Sequence, residues 1–393
     1  MYRPPASHLM CTVGTSLFHP NLSRLPAPGD HAAWLQEQPP PDRPHLSADL
    51  VAELAALRQA GDWSRLGRLL GTLPAELRLL GAEINSIHLL EERGLVIDGA
   101  TIHLLHSDTD LGRQTAQILS AYYSGRCRTV CVDGLDDADA RRFRSVGLRS
   151  LARELGRIIH ANGEISCAVN ATGGYKAQIA IAVVVGQVTG VPVYYKHERF
   201  DDIIALPPLP VSFDLSTWFR ASSVLYALSR EDLPSSVFDE DEIAEPVEPL
   251  IDRIDVDGSE WLGLSPLGQI FHDTFRHRFD GDRLRLLPRA ARPDEKKKPR
   301  LEKAGWPGEH PEVERFLTRL IEEVPQVVAC STTYFNPDLS AATGFHLKGG
   351  EVCGVYSPRG YTVRFVVRTT SETDTHREAM VAELNDWLNR TGA

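Results

Sequence analysis

The segment NATGGYKAQIAIAVVVGQVTG, beginning at Asn170, sets a polar residue, two adjacent glycines and Lys176 directly ahead of a long apolar helix pattern. The first N–H groups of a helix lack intrahelical partners and its dipole favours negative charge, so a helix start is a ready anion site. Gly173 and Gly174 let a ligand approach the backbone closely, and Lys176 adds a point charge. The same residues could also form a plain helix entry, with Thr172 as N-cap. The spacing departs from G-x-x-x-x-G-K-[ST], so it is not a standard ATP loop. Two other loops share this character. GTSLFHPN offers Gly14, Thr15 and Ser16, and HSDTDLG offers Ser107, Asp108 and Thr109. The second of these also reads as helix capping. Hydroxyls, backbone N–H groups, the Asn170 amide and a lysine suit phosphates and base edges better than hydride transfer.

All three loops follow strand-like runs. Through residue 213, apolar runs such as HLMCTVGT, TIHLLHS, RTVCVDG and EISCAVNAT alternate with helical patterns, and VPVYYKHE and DIIALPPLPVSF close the series as a hairpin. LRLLGAEINSIHLLEERG and DARRFRSVGLRSLARELGRIIHANG each read as one helix. This alternation predicts an α/β unit with a mostly parallel sheet and helices on both faces. Loops after parallel strands lie along one edge of the sheet, so the three polar loops are neighbours there.

The 393 residues suggest two or three domains. A net charge of −11 argues against broad, non-specific nucleic-acid binding while leaving room for a local basic site. The six cysteines form no C-x-x-C pair and read as buried, reduced thiols in a cytoplasmic protein. MYRPPASHLMCTVG lacks the charged start and long apolar core of a secretory signal, and no apolar run is long enough to span a bilayer.

TVGTSL, LLHSDTDLGRQTAQIL and NATGGYKAQIAIAVVVGQVTGVPVYYKHE together resemble the CARF domains of CRISPR-associated accessory proteins. The resemblance covers roughly residues 8–213 and implies a Rossmann-like sensor domain over 1–213. It further implies binding of the cyclic oligoadenylate second messenger of type III CRISPR systems, most often cyclic tetra-adenylate, by a homodimer with the ring across its two-fold axis. A ring with repeated phosphates is matched by one patch presented twice. Carried over by motif, the ligand contacts are Thr15, Ser16, Ser107, Asp108, Thr109, Asn170, Gly173, Gly174 and Lys176. Some such domains cleave the ring slowly, which here would fall to Ser16 and Lys176. The ligand is an activator; no cofactor or membrane is implied.

From Asp214 the pattern changes. LSTWFRASSVLYALSR is helical, and DEDEIAEPVEPLIDRIDVDGSE is acidic and proline-broken, an expected loop or exposed arm. WLGLSPLGQIFHDTFRHRF reads as a short amphipathic helix entered at Ser265-Pro266, and RLRLLPRAARPDEKKKPRLEK as a basic linker. These make a helical, winged-helix-like connector over 214–305. Residues 306–393 form a small α+β module: a helix, the three strand-like runs QVVACSTTYF, GFHLKGGEVCGVYS and YTVRFVVRTT, and a last helix.

A sensor needs an output. Arg368 and His376 are separated by seven residues and Arg300 and His310 by nine, outside the four to six of a HEPN ribonuclease. No strand carries E-x-K, which disfavours metal-dependent DNA cleavage. There is no H-x-E with P-C-x-x-C, as a zinc deaminase requires. What remains is a basic strand face. Arg364 and Arg368 share one side of a strand, Tyr361 and Phe365 the other, and His346 and Lys348 share a side of a second strand. Arg359 and Tyr334 lie near the edges. Such a set suits metal-free RNA cleavage: the cations hold the phosphate, and His346, Lys348 or a tyrosine moves protons as the 2′-hydroxyl attacks, leaving a 2′,3′-cyclic phosphate. The order helix–strands–helix is similar to RelE toxins. That resemblance implies an endoribonuclease acting on ribosome-bound mRNA, with His346, Lys348, Arg359, Tyr361, Arg364 and Arg368 as catalytic candidates. The segment from 311 onward departs from the strongly basic RelE pattern, with 8 Lys+Arg against 11 Asp+Glu. The alternatives are a ligand-responsive winged-helix DNA-binding regulator, or a CARF nuclease with a different effector fold.

Overall fold

The computed structural model describes residues 3–197, 202–209, 215–238, 242–243, 247–302, 310–358 and 360–392. The chain divides into two compact units, 1–211 and 212–393. The stretch expected as a connector, 214–305, and the module expected over 306–393 both fall in the second.

The first unit is built on six strands: β1 (Ala6–Thr12), β2 (Val96–Ser107), β3 (Cys127–Val132), β4 (Cys167–Asn170), β5 (Val193–Lys196) and β6 (Ile203–Leu206). Their order is β3-β2-β1-β4-β5-β6. All neighbours are parallel except β5 and β6, which form the antiparallel closing pair. The order reverses between β1 and β4, because the chain builds outward from β1 first on one side and then on the other.

Between β1 and β2 run α1 (His31–Glu37), α2 (Ala48–Ala60), α3 (Trp63–Leu70) and α4 (Gly81–Glu92). The remaining helices are α5 (Asp110–Tyr122), α6 (Ala140–Arg142), α7 (Leu148–Asn162) and α8 (Lys176–Thr189). Leu9, Cys11, Ile102 and Leu104 point to one face and are fully buried with Leu54, Leu66, Ile84 and Leu119 of α2–α5. Met10 and Leu105 point to the other, where Leu155 of α7 and Val185 of α8 are buried. Each such burial contributes about 1.5–3 kcal/mol. The run read as one helix across residues 77–94 is broken, because Gly81 takes a φ of +82° and α4 starts there. The run from Asp139 to Gly163, by contrast, stays helical and only widens to a π-helical turn at Phe143–Gly147. Only Cys11, Cys167 and Cys330 are buried; Cys131 is exposed on the edge strand β3, and Cys127 and Cys353 are half-buried.

The second unit opens with α9 (Leu215–Arg230) and a three-stranded sheet ordered β7-β9-β8, from β7 (Leu233–Pro234), β8 (Ile251–Val256) and β9 (Ser259–Leu264). The sequence-based expectation needs correcting here. The end of the acidic stretch is a strand, paired antiparallel with β9 through a tight turn at Asp257-Gly258, where φ is +52° and +80°. Trp261–Leu264 is strand rather than helix, because Ser265 caps the helix by accepting the Gly268 N–H at 3.0 Å and Pro266 starts it. That helix, α10 (Pro266–Leu286), is 21 residues long rather than short, and takes up the start of the supposed linker.

The remainder comprises α11 (Pro311–Glu323), β10 (Val327–Asn336), β11 (Gly344–Lys348), β12 (Glu351–Tyr356), β13 (Thr362–Thr369) and α12 (Asp374–Thr391). The four strands are antiparallel in the order β10-β13-β12-β11. The run GFHLKGGEVCGVYS is two strands, not one. Gly349 and Gly350 both have positive φ, +60° and +81°, which suits a two-residue hairpin turn. Residues 297–302 of the basic linker lie along the outer edge of β10: Arg300 N–H donates to Cys330 O at 2.9 Å, and Thr332 N–H to Arg300 O at 3.0 Å. At the opposite edge, Asn385 of α12 accepts the Phe345 N–H at 3.0 Å and donates to the Phe345 carbonyl at 2.8 Å.

α9, α10 and α12 are joined by a buried polar network and by an aromatic cluster around Trp218. Within that cluster His272 is buried and accepts the Trp218 indole N–H at 3.4 Å. Burial, reinforced by Arg276, lowers its pKa to about 3. The unfolded imidazole takes a proton near pH 6.5 and the folded one far below that, so acid favours the unfolded chain. Below that pH the His272 contribution costs about 1.4 kcal/mol per pH unit. Measured against the parent by thermal melts, His272→Gln should gain relative stability as pH falls from about 6.5 to 5; the parent's own slope also carries the opposite contribution of Glu383, whose raised pKa favours the fold as pH falls. Among the described residues no helix is long and apolar enough to cross a membrane.

Candidate functional site

The reversal of strand order places the loops after β1 and β4 side by side, and in open α/β sheets such a crevice is where ligands bind. The β1 loop carries Gly14, Thr15 and Ser16; the β4 loop runs from Asn170 to Lys176, the first residue of α8. The two loops touch closely. Thr12 Oγ1 donates to the Gly173 carbonyl at 2.5 Å, and a Cβ on Gly14 would lie 2.5 Å from Gly174 N.

Beneath them lies a residue that sequence reasoning missed. Glu83 of α4 is buried, and its Oε1 accepts the Gly14 N–H at 2.7 Å while Oε2 accepts the Ser16 hydroxyl at 3.1 Å. Ser16 Oγ in turn accepts the Ala82 N–H at 3.1 Å. Burial pushes the Glu83 carboxyl above its usual range, against those hydrogen bonds. A Cβ on Gly173 would run into Glu83 Oε1 and come within 2.7 Å of the Thr12 carbonyl oxygen, so only glycine fits there. Gly173→Ala is therefore expected to destabilise the first unit by about 1–3 kcal/mol, read as a lower denaturant midpoint.

Thr15 and Lys176 are exposed, and Ser16 is half-buried beside them. Asn170 is buried instead: its amide donates to Ser86 Oγ at 2.7 Å and its Oδ1 accepts the Thr172 hydroxyl at 2.6 Å, so its side chain holds the loop. Thr172 is not the helix cap. Its hydroxyl accepts the Lys196 N–H at 3.0 Å, and the cap position is Tyr175. Gly174, with φ of +97°, forms the bend that brings the chain round to the helix start. Gln178, in the first turn of α8, accepts the Tyr175 N–H at 3.2 Å through Oε1. Its buried Nε2 has no partner among the described residues. It is a donor at the helix start that the spacing alone did not flag.

The third loop is organised as a cap. Thr109 Oγ1 accepts the Gly112 N–H at 3.1 Å, the Ser107 and Thr109 hydroxyls are 2.8 Å apart, and Asp108 pairs with Arg113 at 2.9 Å. Ser107 is buried, and Asp108 and Thr109 are half-buried at the end of β2, one strand from the crevice.

In the second unit, the register of β11, β12 and β13 puts Arg364, Arg368, His346 and Lys348 on one face of the sheet. Val366 pairs with Cys353 and Cys353 with His346, so these three share a face with every second residue along their strands. The opposite face carries Phe345, Val352, Phe365 and Val367 into the core against α11 and α12. β11 and β13 are separated by β12, so the two pairs of cations lie about 10 Å apart. Arg364 sits over the ring of Tyr334, 5.7 Å from its centre. Arg368 and Lys348 are exposed at the other end of the sheet, where Glu351 faces Lys348 directly. Tyr361 is on the core side: its hydroxyl donates to Glu312 at 2.5 Å, and its ring stacks with Phe335 and lies 4.8 Å from His310. Burial, then the bond to Glu312, pushes its phenol up. Arg359 lies outside the described residues.

Residues 78–209 match the model of a family described as CRISPR-associated protein (Cas_APE2256). The match covers only part of the chain, and over that part it supports a CRISPR-associated protein. It runs from the turn before α4 to just past β6, and so includes Glu83 and the β4 loop. No curated protein matches the chain.

Proposed function

We propose that this CRISPR-associated chain is a CARF-type sensor joined to a RelE-like ribonuclease. The β1/β4 crevice binds a cyclic oligoadenylate, cyclic tetra-adenylate in the first instance, and two copies of the chain share the ring. The observation that carries this reading is the strand reversal between β1 and β4, flanked by Thr15 and Ser16 on one loop and Gly173, Gly174 and Lys176 on the other. Lys176 and the first N–H groups of α8 face the phosphates, with Gln178 Nε2 as a further donor. Ser16 and Lys176 are the candidates for slow ring cleavage.

The output is RNA cleavage on the basic sheet face of the second unit. Arg364 and Arg368 hold the scissile phosphate and its neighbour, and His346 or Lys348 moves protons while the 2′-hydroxyl attacks. Ribosome-bound mRNA is the substrate that the RelE resemblance implies. Incubation of purified protein with mRNA, with and without ribosomes and cyclic tetra-adenylate, tests the reading. Cleavage that depends on the ring and leaves 2′,3′-cyclic phosphate ends supports it. Cleavage that survives alanine at His346, Lys348, Arg364 and Arg368 together removes the site assignment.

A second reading has its own observation. α9, the β7-β9-β8 sheet with its tight hairpin, and the 21-residue α10 together resemble a winged helix, which would make the chain a ligand-responsive DNA-binding regulator. Under that reading the same incubation leaves RNA intact, and a DNA mobility shift appears with the ring.

A further inference from the structure

A hydroxyl has one proton and two lone pairs. Ser16 Oγ uses one lone pair for the Ala82 N–H at 3.1 Å and gives its proton to Glu83 Oε2 at 3.1 Å. The Gly14 N–H is spent on Glu83 Oε1 at 2.7 Å. Two donors at the mouth of the crevice are thus turned inward onto a buried carboxylate. An anion arriving from outside meets an acceptor and, behind it, a like charge.

Protonation reverses this arrangement. A neutral Glu83 still accepts from Gly14 at Oε1, while its Oε2–H donates to Ser16 Oγ. Both Ser16 lone pairs are then filled, and its own proton has only the crevice to point into. No covalent bond breaks; one proton moves from solvent to Glu83 and one hydroxyl rotates.

We propose that Glu83 couples ligand uptake to proton uptake: the phosphate-bearing ligand enters the β1/β4 crevice together with one proton on Glu83, which turns the Ser16 hydroxyl outward as a donor to that ligand. This rests on the reading of the crevice as a cyclic oligoadenylate site. The direction of the Glu83 shift, upward through burial, is consistent with it. On the elements packed against α4 the titratable groups are Arg78, His19, Asp98, His103 and His106 of β2, and Tyr194, Tyr195 and Lys196 of β5; none contributes to the Glu83 shift. Cys11 of β1 is coupled to Glu83, but burial holds its thiol protonated throughout the range of interest.

Calorimetry on the full chain with cyclic tetra-adenylate, in buffers of different ionisation enthalpy, reads the coupling directly. The wild type is expected to take up as much as about one proton per crevice near pH 7.5. In Glu83→Gln the amide nitrogen donates to Ser16 as the protonated acid would, so that variant should take up none. It should also bind roughly tenfold more tightly at about pH 8, with affinity flat from pH 6 upward. Ser16→Ala should bind more weakly and lose the coupling, and it decides the matter if Glu83→Gln does not fold. Wild-type binding without proton uptake, or undiminished uptake in Glu83→Gln or in Ser16→Ala, overturns the inference and leaves the ligand reading standing. No heat with any cyclic adenylate overturns both.

Discussion

Asp386→Ala should destabilise the second unit by about 3–5 kcal/mol, seen as a large fall in its denaturant midpoint. The Asp386 side chain is only 2% exposed, yet it accepts from Arg283 Nη2 at 2.7 Å, Arg390 Nε at 2.9 Å and Tyr226 OH at 3.2 Å. Arg276 Nε stands 3.3 Å away. Burial alone would raise the carboxyl, but the surrounding arginines hold it below its usual range. Its neighbour Glu383, on the same helix face, lacks enough of that compensation, and burial pushes it up to about 7. Truncating Asp386 removes a nearly fully buried carboxylate and leaves three partly exposed guanidinium groups facing a half-neutralised glutamate, which is why the loss exceeds that of a surface ion pair. The residues involved come from α9, α10 and α12, so the damage would spread across the unit.

Arg364→Ala should cut RNA cleavage by about 10²–10³-fold if the basic sheet face is the effector site, with quantitative gel kinetics as the readout. Arg368→Ala and Lys348→Ala should each cost less. Arg364 is half-buried and fixed over the Tyr334 ring, so little order is lost when it meets a phosphate. Arg368 and Lys348 are exposed, and Glu351 opposite Lys348 offsets part of their pull on an anion. Equal losses at all three positions would mean that the phosphate does not lie near Arg364.

The α/β unit was legible because its strands contain short apolar runs separated by helical ones, and each of β1 to β6 overlaps such a run, although β2 begins at Val96, ahead of the run at 101–107. The four basic residues on one sheet face were also readable, since period-two alternation along two strands decides it once the strands pair. Local chemistry misled in other places. WLGL fits both a helical and a strand period, and only the Ser265 cap tells where α10 begins. The acidic composition of residues 239–260 masked β8, whose apolar Ile251, Ile254 and Val256 do not alternate, and Gly349-Gly350 passed as part of one strand. Glu83 was out of reach for a different reason. It lies on α4, 67 positions from its partner Ser16, and nothing in GAEINSIHLL marks that glutamate as the one turned under the crevice. Asn170 shows a different limit: a polar residue at a strand end invites a ligand role, and the sequence did not foretell that its amide is held by Ser86 and Thr172.

The contact between Asn385 and the Phe345 backbone has a consequence for how this protein behaves in a crowded cell. One side-chain amide imitates the peptide group of a fifth strand, and the 297–302 segment performs the same service at the far margin of the sheet. Both margins are thus blunted among the described residues, one along β10 and the other at the Phe345 peptide, which works against pairing with a foreign β-segment. Asn385→Ala would unlock that margin, and the sign would be turbidity at concentrations where the parent stays clear.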